Sequence, residues 1–217
     1  MRKEYAVSSD QGGILQPIQQ HSWDVTWTVP DPRGVHNTLF ALNPHSSLFE
    51  LQTYFVFGPD FGNEAVVRSK KTYDSPDKLL GGSPYERIYQ DQDAIIALYN
   101  VPPEARFPHV NAFFSRDLKS VVEDSSGWIF ARGGDALIAF HPLQPYMWKP
   151  IEGGSKRLFS PHRKNGVVMQ VAAASEFPDM EAFRKAILAL PLEASMEPVP
   201  TVRFTSLRGK QMRFTYG

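Results

Sequence analysis

Cysteine is absent from this chain of 217 residues. That excludes disulfides and thiolate metal sites, but it assigns no compartment. An excess of either charge is also absent, because 23 Lys and Arg balance 23 Asp and Glu. Without a net basic field, generic nucleic-acid binding loses its main driving force, and no nucleic-acid partner is expected. Net charge is silent about a local basic groove. No apolar run approaches the roughly 18 residues a membrane helix needs, so no membrane partner is expected. No apolar stretch follows Met1-Arg2-Lys3-Glu4-Tyr5, so no signal peptide is read in this chain.

Self-sufficient catalytic signatures are missing as well. There is no Gly-x-Ser-x-Gly elbow, no Gly-x-Gly-x-x-Gly and no P-loop lysine. Gly12-Gly13, Gly81-Gly82-Ser83-Pro84 and Gly153-Gly154 read as turns. Pro84 in addition removes a backbone donor that an oxyanion hole would use. None of His21, His36, His45, His109, His141 and His162 is paired at the i, i+2 or i, i+4 spacing of a metal site on one element. Neither a metal nor a cofactor is expected. Asp91 with Asp93, and Glu123 with Asp124, match the residue types of a glycosidase pair. The first pair sits at the mouth of a strand, where solvated charges are normal. No catalytic residue is assigned.

What is present reads as β structure. The chain is 42% apolar and 21% charged, the balance of a globular protein. Trp23, Val25, Trp27 and Val29 alternate with polar residues, which marks a half-buried strand. Phe49 to Phe57 is a second candidate. Ala94 to Tyr99 is a continuous apolar run, expected in a strand buried on both faces. Residues 128–132 and 136–140 flank Gly133-Gly134-Asp135, a hairpin pattern. Val167 to Ala172 is another strand. Val202 to Thr205 and Met212 to Tyr216 form a last pair around Arg208-Gly209-Lys210, and the chain stops just beyond, as expected at a domain end. One segment departs from period two. Met180, Phe183, Ile187 and Leu190 make an apolar stripe at helical spacing, with Asp179 and Glu181 at its start and Pro191 at its end. The expectation is one mainly β domain over 1–217, an antiparallel two-layer sandwich. It would have an irregular lead-in over 1–20 and one helix over about 179–190.

The longest stretch without clear strand character runs from Lys70 to Gln92. It gathers Tyr73, Lys78, Tyr85, Arg87 and Tyr89. Sugar rings stack on aromatic faces, and acidic sugars pair with Lys or, bidentately, with Arg. Tyr also serves as an acid or base when a nearby cation lowers its pKa. The same composition fits a solvated loop whose tyrosines pack on the sheet, and both readings stay open. His109 is of interest beside Arg106 and Asn111, and Arg132 for its charge. The candidate binding set is therefore Tyr73, Lys78, Tyr85, Arg87, His109 and Arg132. Trp23, Trp27, Trp128 and Phe130 are expected in the core.

Five strings have a familiar order: residues 21–27, 72–85, 126–130, 160–166 and 204–209. From about Trp23 onward the chain resembles the C-terminal β-sandwich of large bacterial proteins related to heparinase II/III-type polysaccharide lyases. The resemblance implies an α/α toroid ahead of the sandwich and an acidic polysaccharide in the cleft between them. It also implies β-elimination, in which a Tyr or His removes the C5 proton, and a periplasmic or extracellular setting. Most of that machinery resides on the toroid, for which this chain lacks the helices. The chain is then expected to be a detached C-terminal part that contacts acidic polysaccharide or packs on a helical toroid domain, inactive alone. The alternatives are a purely structural domain and a small independent carbohydrate-active enzyme.

Overall fold

The computed structural model describes residues 3–9, 22–30, 37–44, 83–151 and 153–217. The expected strand Phe49 to Phe57 lies outside them. So do Gly12-Gly13, Gly81-Gly82, His21, His36, His45, Tyr73 and Lys78.

Strand β1 (Tyr5–Ser9) pairs with β2 (Trp23–Trp27), and β2 with β3 (Thr38–Leu42). The lead-in over 1–20, expected to be irregular, thus carries a strand. The next pair is β4 (Glu86–Asp91) and β5 (Ala94–Asn100). Reading Lys70 to Gln92 as a loop throughout is corrected here, because Glu86–Asp91 form β4. The inward positions Glu86 and Gln90 are polar, which hides the alternation, yet both find partners: Glu86 with Tyr99 of the neighbouring β5 and Gln90 with Val7 and Ser9 across the sandwich. Then come β6 (Val110–Phe114), β7 (Lys119–Glu123), β8 (Ile129–Gly133), β9 (Ala136–Pro142), β10 (Met147–Pro150), β11 (Lys156–Ser160) and β12 (Lys164–Ala173). Helix α1 (Met180–Leu188) precedes β13 (Leu192–Ser195), β14 (Thr201–Thr205) and β15 (Gln211–Thr215).

Among the described residues two six-stranded sheets form the sandwich, in the orders β1-β2-β3-β6-β11-β10 and β4-β5-β12-β9-β8-β7. Neighbouring strands run antiparallel throughout. Among the described residues the fold class is the mainly β, antiparallel sandwich with one short helix that the alternation implied. A smaller three-stranded sheet, β13-β14-β15, adds a layer with α1 on the outer face of the second sheet.

Period two sorts the second sheet's side chains between two cores. In β5, Ile95, Ala97 and Tyr99 face the first sheet, while Ala94, Ile96 and Leu98 face the third layer. In β9, Ile138 and Phe140 face inward and Leu137 and Ala139 outward. Both sides of β5, β9 and β12 are thus buried, which explains their unbroken apolar runs. Each large side chain so buried stabilises the fold by roughly 1.5–3 kcal/mol. Trp23, Trp27, Trp128 and Phe130 are all in the core, at 1, 2, 4 and 0% exposure.

Helix α1 forms as its stripe requires. Asp179 caps it, its Oδ1 accepting the Ala182 N–H at 2.8 Å. Phe183 and Ile187 are buried against the second sheet, with Met180 and Leu190 partly buried beside them. The β8–β9 turn needs its glycines. Gly134 has φ +55°, and a Cβ on Gly133 would stand 2.4 Å from the Trp27 ring.

Side chains close the two edges of the sandwich. At one edge Gln90 of β4 donates to the Val7 carbonyl at 2.9 Å and accepts from Ser9 Oγ at 2.6 Å. At the other, Glu123 of β7 accepts from the Tyr146 hydroxyl at 2.5 Å and from the Trp148 indole at 2.7 Å.

Candidate functional site

Strand β4 sets Arg87 and Tyr89 on the face turned toward the third layer, since they pair with Leu98 and Ile96 of β5. The strand's approach is pinned from the first sheet. Ser83 Oγ donates to Asn43 Oδ1 at 2.8 Å and accepts the Tyr85 N–H at 3.1 Å. Asn43 Nδ2 in turn donates to the Phe107 and His109 carbonyls, each at 2.8 Å.

Across the gap stands β15 and the residue after it. The Arg87 guanidinium lies over the Tyr216 ring, 5.3 Å from its centroid. Tyr89 meets Phe214 edge-on at 5.7 Å. The Tyr216 N–H donates to the Pro200 carbonyl at 2.9 Å, which fixes the ring's backbone. The Nη1 of Arg87 donates to the Pro84 and Glu86 carbonyls at 2.9 and 2.7 Å. Among the described residues its Nε and Nη2 have no hydrogen-bond partner. The result is an exposed, oriented guanidinium with its free edge beside half-buried aromatic rings.

The electrostatics favour binding over proton transfer. Burial pushes the Tyr216 phenol above its ordinary pKa, with Arg87 opposing and Tyr85 adding to the rise. Tyr216 therefore stays protonated near neutrality and is a poor general base. A guanidinium edge so placed can pair with an anionic group, and exposed ring faces can stack on a sugar.

The six residues picked from the sequence do not form one site. Tyr85 and Arg87 come together with Tyr216, whereas Tyr73 and Lys78 lie outside the described residues. His109 is buried, its ring 4.9 Å from that of Phe159 and 6.1 Å from that of Phe107. Arg132 belongs to the β8–β9 hairpin, donating to the Gly134 carbonyl at 2.8 Å and to Asp135 at 3.0 Å. Strands β4 and β8 are first and fifth in the second sheet, so Arg132 is remote from Arg87. Sequence reading missed Phe214 and Tyr216 as site members, having placed them only in an alternating strand. The aromatic residues closing the chain were the available signal.

Most of the other candidate groups are engaged in structure. Asp91 ends β4, and Asp93 lies past the turn and pairs with Arg208 at 3.0 Å. Asp124 accepts from Ser126 and from Arg184, which holds its carboxyl down at about 2. His141 points Nδ1 at the Pro142 carbonyl, 2.9 Å away, and burial lowers its pKa. Among the described residues no group of three or more metal-ligating side chains converges. No known protein family, curated protein or solved structure matches this chain.

Proposed function

We propose that this chain is a non-catalytic β-sandwich module that binds acidic polysaccharide at the β4–β15 edge. The observation that carries the reading is the Arg87 guanidinium seated over the Tyr216 ring with its Nε–Nη2 edge unused. That edge matches the two oxygens of a uronate carboxylate, and Tyr85, Tyr89 and Tyr216 supply ring faces alongside. The resemblance to the sandwich of heparinase II/III-type lyases points to the same ligand class, with a toroid domain as the partner that would carry the chemistry.

Packing on a helical partner as the sole role would call for a broad exposed apolar face. Among the described residues the exposed large apolar side chains are Val121, Val122, Met147 and Leu188. The first three lie on the edge strands β7 and β10, and the outer face of the second sheet is already covered. This supports ligand binding over docking alone.

Calorimetric titration of the intact chain with uronate oligomers tests the proposal. Binding is expected, weakened about tenfold or more by Arg87→Ala through loss of a charge-assisted pair. Arg87→Lys should recover only part of it, because an ammonium cannot engage both oxygens. Tyr216→Ala should weaken binding as well. No unsaturated product should appear on prolonged incubation. Absence of binding to any uronate polymer, or binding indifferent to Arg87, would overturn the proposal.

A further inference from the structure

The edge strand of the second sheet holds an acid in an unusual place. Glu86 opens β4 on the face turned toward the first sheet and is 6% exposed. Its Oε1 accepts from the Tyr99 hydroxyl at 2.7 Å, and the Tyr99 oxygen accepts from the Trp23 indole N–H at 3.3 Å. A hydrogen-bonded chain thus crosses the sandwich from β2 to β5 and on to β4. The remaining oxygen, Oε2, is buried without a hydrogen-bond partner of normal geometry. Ser22, ahead of β2, and Trp23 lie in looser polar contact with the carboxyl. Among the described residues no charged side chain acts on it: the groups facing it are Tyr99 from β5, Trp23 from β2 and Ser22. Arg87, next in sequence, points to the opposite face of the sheet.

A carboxylate in this position would keep its charge between two apolar sheets with one strong donor and, among the described residues, no cation. The interior does not compensate such a charge. Two outcomes relieve it: the group takes a proton, or water reaches it. Burial lifts its pKa from the ordinary 4.5 to about 7, so both forms are populated near neutrality. The seam beside it is lightly held. Strands β1 and β4 belong to different sheets and are joined across the edge through Gln90. The centre of the second sheet, β5-β12-β9, is by contrast laddered on both sides and buried on both faces.

We propose that this edge is a proton-controlled seam: with Glu86 neutral, β2 and β4 stay closed over the Trp23–Tyr99–Glu86 chain, and with Glu86 ionised the edge opens locally to admit water. The proton is the ligand of the closed state, and linkage fixes the sign. The closed edge binds the proton more tightly than the open edge does, so rising pH favours opening. The inference does not depend on what binds at Arg87.

Hydrogen exchange of the intact chain, read by mass spectrometry from pH 4 to 9 and corrected for intrinsic amide rates, tests it. Amides of β2 and β4 should lose protection as pH rises from the ordinary 4.5 towards about 7, by up to about tenfold per pH unit, the slope of one released proton, and should level off above it. Those of β14 and β15 should not change. Glu86→Gln keeps an acceptor for Tyr99 and removes the titration, so its profile should be flat. If that variant folds poorly, a carbon-13 titration of the wild-type carboxyl gives the answer directly. A Glu86 midpoint in the ordinary carboxylate range, protection independent of pH, or the same slope in Glu86→Gln would each overturn the proposal.

Discussion

Arg208 and Asp93 stand 115 residues apart in the chain, yet the guanidinium donates through Nε and Nη2 to one Asp93 oxygen at 3.2 and 3.0 Å. Its third nitrogen reaches Glu176 at 2.8 Å. One side chain in the β14–β15 turn therefore grips both the β4–β5 turn and the 3-10 turn at Ala174–Glu176. Replacing Arg208 by Ala should lower stability by about 1–3 kcal/mol, since charged hydrogen bonds are lost from partly buried partners. Arg208→Lys should restore only part of that loss, because a point charge cannot reach both carboxylates as the fork does. Urea denaturation checks both, and equal stability of Arg208→Ala and wild type would remove this grip from the account.

Gly133→Ala should be among the more damaging small substitutions. The new Cβ would meet the Trp27 ring at 2.4 Å, and Trp27 is itself only 2% exposed. Overpacking of this kind costs about 1–3 kcal/mol. Thermal melts should show the loss, with Trp27 emission shifted as its ring is displaced. Gly209→Ala meets no neighbouring atom within 4 Å but sits at φ +77°, so it should cost less, through backbone strain alone.

Asp179→Ala removes the acceptor for the Ala182 N–H at the start of α1. The expected loss is about 1 kcal/mol. Asp179→Asn should be nearly silent, since its side-chain oxygen still accepts. Chemical denaturation of the two variants separates the cap from a charge effect.

Asp124 predicts an acid limb of opposite sign to the Glu86 effect. Its carboxyl is held at about 2, below the ordinary 3.8, first by Ser126 and then by Arg184. A depressed pKa contributes stability that is present above the ordinary value and is lost as pH falls toward the folded one. Wild-type stability should therefore decline between about pH 4 and 2 more steeply than that of Asp124→Asn. Equal slopes would show that the Asp124–Arg184 contact is not felt in folding.

Much of the fold was legible because period two and period 3.6 are local properties. Ala94 to Tyr99, the hairpin around Gly133-Gly134 and the stripe from Met180 to Leu190 each announced their element and the number of faces they bury. Strand β4 escaped because its inward residues, Glu86 and Gln90, are polar and find partners on other strands, as when Glu86 meets Tyr99 and Gln90 meets Val7. The third layer escaped for a related reason. The alternation of β14 and β15 was plain, but their seat depends on Gln170 accepting the Leu207 N–H and on Arg208 reaching Asp93. No periodicity encodes contacts over such separations. At the site, Arg87 and Tyr85 stood out by residue type. Tyr216 did not, because what matters is the stacking of β15 beside β4.

Gln170 lies in the middle of β12, flanked by apolar residues on both sides, and is 0% exposed. Its amide donates to the Asp93 and Val171 carbonyls, each at 3.1 Å, and its oxygen accepts from Leu207. A strand greasy on both sides could shift by one position and still look well buried; what it would lose is the phase of its pleat. The bonded Gln170 amide works against that ambiguity. A one-step slip would strand Gln170 among the tryptophans of the opposite core with nothing to bond. Together with the buried Asn165 near the start of the strand, this residue tells β12 which way is up, and a chain carrying Gln170→Leu is expected to hold that alignment less firmly.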